Sequence, residues 1–222
     1  MVIKICGLTN AADARFALDA GADWVGLNLV AGPRKLPLDE AVRIAKNLDD
    51  PSRAVALVRA TAGHVNDTEL STLTDCGVRR VQLYGDVSAT TIDQIKQAGF
   101  DAIVVRAISG DASITELDEL LKTLGDLQPA HLLLDAHAPG KQGGTGRRAD
   151  WNAIRKAQGA GLLSAWPPVL LAGGLTPDNV ADAIKSVTPA GVDVSSGVEA
   201  SPGKKDHVKV LAFVDAVRSA TT

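Results

Sequence analysis

The sequence predicts an α/β protein of the (β/α)8 barrel class, the TIM barrel, and three observations carry that prediction. Short β-rich runs alternate with segments of helical period along the chain, the pattern of parallel strands joined by crossover helices. Eight such units occupy 222 residues, about 28 residues each and slightly below the ~250 typical of the fold. No stretch of linker composition interrupts them, so residues 1–222 read as one barrel domain. An open, doubly wound sheet would show the same alternation, and the strand count favours closure.

The first strand is expected at Val2–Ile5, followed by Ala14, Ala17, Leu18 and Gly21 at the i, i+3, i+4, i+7 spacing of an amphipathic helix. The second strand, Trp24–Leu29, precedes the same spacing in Ala41, Ile44, Ala45 and Leu48. Strands three to five are expected at Arg53–Val58, Arg79–Leu83 and Ala102–Arg106, the last leading into Leu117, Leu120, Leu121 and Leu124. The sixth and seventh are His131–Leu134 and Pro168–Leu171. Thr176 is the expected N-cap of the next helix, with Pro177 at its first position and Val180, Ala183, Ile184 and Val187 on its apolar face. The eighth strand, Gly191–Val194, is followed by Val210, Phe213, Val214 and Val217. Gly21 and Gly77 sit where left-handed helix caps are expected, and Gly140–Gly146 reads as a loop over one barrel end.

Composition narrows the function classes. Hydrophobic residues make up 45% and aromatics only 3%, so the core is aliphatic. A net charge of −3 with no basic stripe argues against a nucleic-acid partner. The longest apolar runs, such as Pro167–Ala172, are strand-sized, far below the ~20 residues of a membrane span. The start, Met1-Val-Ile-Lys-Ile-Cys-Gly, lacks the pattern of an export signal, so a cytoplasmic protein is expected. Two cysteines, Cys6 and Cys76, build no disulfide framework, and no histidine pair has metal-ligand spacing, so no metal is expected.

Barrel chemistry sits at the C-terminal ends of the strands. Strand alternation puts Lys4 and Cys6 on one face, the interior if Cys6 points at the site. A nearby ammonium favours thiolate over thiol, as a cysteine base or nucleophile requires; read alone, Cys6 is also a small buried hydrophobe. Cys76 reads as packing at a helix end. Asp135 follows three leucines, and a carboxyl at the edge of an apolar wall can rise far enough in pKa to donate a proton; a helix cap or loop ion pair is the other reading. Asp193 shares a strand face with Ser195 and lies within reach of Lys4, so an interior Lys4–Asp193 pair is expected, with Asp193 also placed to bind substrate hydroxyls.

Gly173 and Gly174 after strand seven, with Ser195, Ser196 and Gly197 after strand eight, offer backbone N–H groups where such barrels bind phosphate. Arg34, in the loop after strand two, is either a fork for a carboxylate or a solvated loop arginine. His131 reads as interior, His137 as loop-borne near Asp135, and His64 and His207 as peripheral.

Five segments then occur in order: Lys4-Ile-Cys-Gly-Leu-Thr9; Val81-Gln-Leu-Tyr-Gly85; Leu133-Leu-Asp135 with Gly143-Gly-Thr-Gly146 and Asp150-Trp151; Ala172-Gly-Gly-Leu-Thr-Pro-Asp-Asn-Val180; and Val192-Asp-Val-Ser-Ser-Gly-Val-Glu199 with Pro202-Gly-Lys-Lys-Asp206. In these the chain resembles the phosphoribosylanthranilate isomerase family of tryptophan biosynthesis over nearly its whole length. The resemblance implies an Amadori rearrangement of a phosphorylated sugar, without a cofactor, in a monomer or homodimer. It implies Cys6 as general base, Asp135 as general acid, Arg34 on the anthranilate carboxylate, and the phosphate on Gly173, Gly174, Ser195, Ser196 and Gly197.

The chain departs from the family pattern at Tyr84, where histidine is usual, and at Ala149, where an aromatic is common. The loops after strands two and three differ as well. The related isomerase of histidine biosynthesis uses two carboxylates, and Cys6 at the end of strand one argues against it.

Overall fold

Parallel strands buried on both faces need apolar side chains at nearly every position, and Ala54–Ala60 and His131–Asp135 are built that way. The computed structural model describes residues 1–135 and 150–221. Its eight barrel strands are β1 (Val2–Cys6), β2 (Trp24–Asn28), β3 (Ala54–Ala60), β4 (Arg80–Gly85), β5 (Asp101–Ala107), β6 (His131–Asp135), β7 (Val169–Leu171) and β8 (Gly191–Val194). They pair in sequence order, all parallel, and β1 closes on β8 through the partners Val2↔Gly191 to Ile5↔Val194. The crossover helices are α1 (Ala11–Asp19), α2 (Leu38–Lys46), α3 (Asp67–Asp75), α4 (Ala89–Gln97), α5 (Asp111–Leu124), α6 (Trp151–Gly159) and α7 (Val180–Val187), with α8 (His207–Thr221) following β8.

Two apolar layers result. Outward-facing strand residues pack with the helices, where Val180, Ala183, Ile184 and Val187 of α7 and Val210, Phe213, Val214 and Val217 of α8 are buried. Burial of each large aliphatic side chain stabilises by about 1.5–3 kcal/mol. Inward-facing residues form a second cluster of Trp24, Val55, Ile103, Val105, Leu133, Leu170 and Ala172. Trp24 stoppers the N-terminal mouth: the Arg80 guanidinium lies 4.7 Å over its ring and His131 meets it edge-on at 5.2 Å. The opposite mouth is the one left for a ligand.

Most strand limits differ from expectation by one or two residues; β1 and β6 run on to take in Cys6 and Asp135 themselves. Gly21 and Gly77 do cap their helices in the left-handed region, with Ala22 N–H on the Ala17 carbonyl and Val78 N–H on Leu73.

Thr176 is not the side-chain cap. Its carbonyl accepts from Asn179 and Val180 N–H, a turn precedes the regular helix at Val180, and the Asn179 side chain reaches back to Thr176 N–H at 2.8 Å. A short antiparallel hairpin, β9 (Glu199–Ser201) and β10 (Lys204–Lys205), was absent from the expected elements. His137, Gly140–Gly146 and Ala149 lie outside the described residues. Among the described residues no helix is long and apolar enough to cross a membrane, and no group of three or more His, Cys, Asp or Glu is arranged to hold a metal.

Candidate active site

The C-terminal strand ends surround a cavity of about 210 Å³. Cys6 enters it from β1, Arg34 from the loop after β2, Asp135 from β6, Gly173 and Gly174 from the loop after β7, and Asp193, Ser195, Ser196 and Gly197 from β8 and its loop. Every site residue expected from the sequence therefore lines one cavity. Asn28, Leu57 and Tyr84 complete the wall on the β2–β4 side.

Lys4 lies one inward position below Cys6 and is fully buried. Its ammonium donates to Asp193 Oδ1 at 2.8 Å, and the two residues are register partners across the β1–β8 seam. Burial acts to lower the Lys4 pKa, but the Asp193 carboxylate and Cys6 outweigh it and hold the ammonium above its ordinary value. The pair that alternation predicted is thus formed.

Its expected effect on Cys6 is not fully realised. Burial pushes the thiol up, Lys4 and Lys205 pull it down, Asp193 pushes it up again, and the balance lies above the ordinary thiol value. The reason is that Lys4 is already neutralised by Asp193, so its residual field cannot offset desolvation.

Gly26 on β2 makes this cluster possible. A Cβ there would stand 2.7 Å from Cys6 Sγ and 3.1 Å from both Cys6 Cα and Lys4 Nζ. The sequence signal for it was available, since Trp24, Gly26 and Asn28 alternate onto the inner face.

Asp135 ends β6 half-buried, and its carbonyl accepts the Ile108 N–H at 2.8 Å, fixing the strand end against the loop after β5. Tyr84, at the end of β4, receives Gln82 Nε2 on its hydroxyl at 2.9 Å. Burial, then the negative charges of Cys6, Asp193 and Asp135, push its pKa well above the ordinary value, so it stands in the wall as a neutral phenol.

Arg34 is no solvated loop arginine. Its Nε and Nη2 form a fork on Glu199, at 2.7 Å and 2.6 Å, with its side chain only 15% exposed. Glu199 also accepts from Lys205 Nζ at 2.9 Å, and Lys205 donates in turn to the Ser195 carbonyl at 3.0 Å. The sequence offers no role for Glu199 or Lys205, because charged residues in a short loop segment look solvated. Of the histidines, His131 is inward beside Trp24, whereas His64 is exposed and His207 stacks on Phe16 at 3.7 Å on the outer surface.

Comparison with known proteins adds an independent line. The family model for N-(5'-phosphoribosyl)anthranilate (PRA) isomerase matches residues 3–216. The N-(5'-phosphoribosyl)anthranilate isomerase of Roseiflexus sp. (strain RS-1) is 43% identical over 227 residues, covering 98% of each chain. Phosphoribosyl anthranilate isomerase from Thermotoga maritima is similar in structure with a TM-score of 0.82 at 29% identity, over 99% of this chain and 100% of that one. A phosphoribosyl anthranilate isomerase in complex with reduced 1-(o-carboxyphenylamino)-1-deoxyribulose 5-phosphate gives a TM-score of 0.79 at 28% identity, over 99% of this chain and 100% of that one.

Proposed function

We propose, from the premise that this chain belongs to the N-(5'-phosphoribosyl)anthranilate isomerase family of tryptophan biosynthesis, that Cys6 is the general base and Asp135 the general acid of its Amadori rearrangement. Asp135 gives its proton to the ribose ring oxygen as the C1–O bond breaks and the nitrogen lone pair forms a C1=N iminium. The Cys6 thiolate takes the proton from C2, and that C–H electron pair becomes the C1=C2 bond of an enolamine as the iminium is neutralised. Tautomerisation to the C2 ketone yields 1-(2-carboxyphenylamino)-1-deoxyribulose 5-phosphate. An acid and a base are all that these steps require of side chains.

The observation that carries the reading is that Cys6 from β1 and Asp135 from β6 line the same cavity as the glycine-bearing loops after β7 and β8. Those loops offer a phosphate seat on Gly173, Gly174, Ser195, Ser196 and Gly197, which is where phosphate sits in barrels of this class. Asp193 and Arg34 line the same cavity, and the reading gives the first to a ribose hydroxyl and the second to the anthranilate carboxylate. The test is turnover of N-(5-phosphoribosyl)anthranilate by Cys6→Ala and Asp135→Asn. Each is expected to lower kcat by ~10²-fold or more with an unchanged circular-dichroism spectrum. Near-wild-type kcat in either variant overturns that residue's role.

A further inference from the structure

Glu199 is a buried carboxylate that the acid–base chemistry leaves without a task. It opens β9, and donors from three places converge on it: the Arg34 fork, Lys205 Nζ at 2.9 Å, and Gly203 N–H at 3.3 Å. Thr9 Oγ1 donates to the Gly203 carbonyl at 2.6 Å, and Lys205 to the Ser195 carbonyl at 3.0 Å. One hairpin thereby ties together the loops after β1, β2 and β8, with Glu199 at the junction.

Charge and valence both bear on its use. A guanidinium has five N–H donors, and Glu199 takes two of them along the Nε edge. Among the described residues the other edge donates to nothing, and Arg34 lines the cavity. One carboxylate between Arg34 and Lys205 also leaves a net single positive charge at the junction, which an incoming carboxylate neutralises.

We propose that Glu199 is a positioning residue, holding one edge of the Arg34 guanidinium so that the opposite edge grips the aromatic carboxylate of the substrate. This rests on the assignment of Arg34 to the anthranilate carboxylate.

The experiment compares two substrates on wild type and Glu199→Gln: N-(5-phosphoribosyl)anthranilate and N-(5-phosphoribosyl)aniline, which lacks the carboxylate. Expected is a roughly tenfold rise in KM for the anthranilate substrate with kcat within about threefold, because ground-state and transition-state binding fall together. For the aniline substrate, KM of the two proteins is expected to agree within about twofold, since the lost contact has nothing to act on. Glu199→Asp, which keeps the charge with a shorter reach, is expected to fall between with the same selectivity, and it is the variant to read if Glu199→Gln does not accumulate folded.

An equal rise in KM for both substrates overturns the proposal in favour of mere structural support. A lower KM for the anthranilate substrate overturns it by making Glu199 a rival for Arg34. If wild type itself handles both substrates alike, the Arg34 assignment falls and the proposal with it, an outcome that does not depend on any variant.

Discussion

The Lys4 ammonium and the Asp193 carboxylate meet at 2.8 Å across the seam where the first barrel strand joins the last. Removing one member of a buried pair strands the other charge, at a cost of about 3–5 kcal/mol. Lys4→Met is therefore expected to lose about that much in urea unfolding, and Lys4→Met/Asp193→Leu to recover much of it. A double variant no more stable than Lys4→Met counts against the pair.

The Cys6 thiol is raised by burial despite its cationic neighbours. In a Cys76→Ala background, the pH midpoint for iodoacetamide alkylation of Cys6 is expected above that of free cysteine measured alongside. Lys4→Met is expected to raise it further, because Lys4 is the strongest influence favouring the thiolate. A midpoint below that of free cysteine contradicts this balance.

Gly26→Ala places a methyl group 3.1 Å from the Cys6 backbone Cα, which cannot swing aside as a side-chain end can. The expected cost is about 1–3 kcal/mol, as for other overpacked sites. Turnover should drop as well, because the same methyl stands 2.7 Å from Cys6 Sγ. Thermal unfolding and steady-state kinetics check the two effects, and unchanged values in both would remove Gly26 from the site's architecture.

Asp13 of α1 accepts the Lys205 backbone N–H at 3.1 Å and pairs with His207 at 3.0 Å. Burial pushes its carboxyl up, but the bonds from His207, Lys205 and Asn10 outweigh it and hold the pKa below the ordinary aspartate value. Between those two values the unfolded chain binds a proton that the folded chain does not, so stability rises with pH there. Relative to wild type, Asp13→Asn is expected to have a lower Tm at pH 7, with the gap closing below about pH 4. Circular-dichroism melts from pH 7 to 3 measure it; a gap independent of pH argues against an ionic contribution.

The strands were legible because burial on both faces writes each as an aliphatic run, and their ends were not, because Cys6 and Asp135 break the run where function begins. Alternation alone brought Lys4 to Asp193. It could not bring Arg34 to Glu199, since neither lies in a barrel strand and 165 residues separate them. The β9–β10 hairpin left only the Pro202-Gly203 turn as a signal: Glu199–Ser201 has no apolar alternation, and ion pairs and backbone bonds from distant loops hold it. Thr176 was misread because the turn through Pro177 delays the helix, a choice made by the Asn179 side chain.

Closure of β1 on β8 also gives the molecule an order in time. A chain emerging from the ribosome presents Lys4 first, and the carboxylate that neutralises it follows 189 residues later. Until then β1 has an open edge and an ammonium that cannot be buried, so the incomplete barrel stays unsealed, as expected where the decisive contacts are the most distant in sequence. The Cys6 thiol, two residues from Lys4, meets Asp193 and Lys205 only when the last strand and its hairpin dock. Docking of the last strand thus completes the burial of Lys4 and the surroundings of Cys6 in one step of topology.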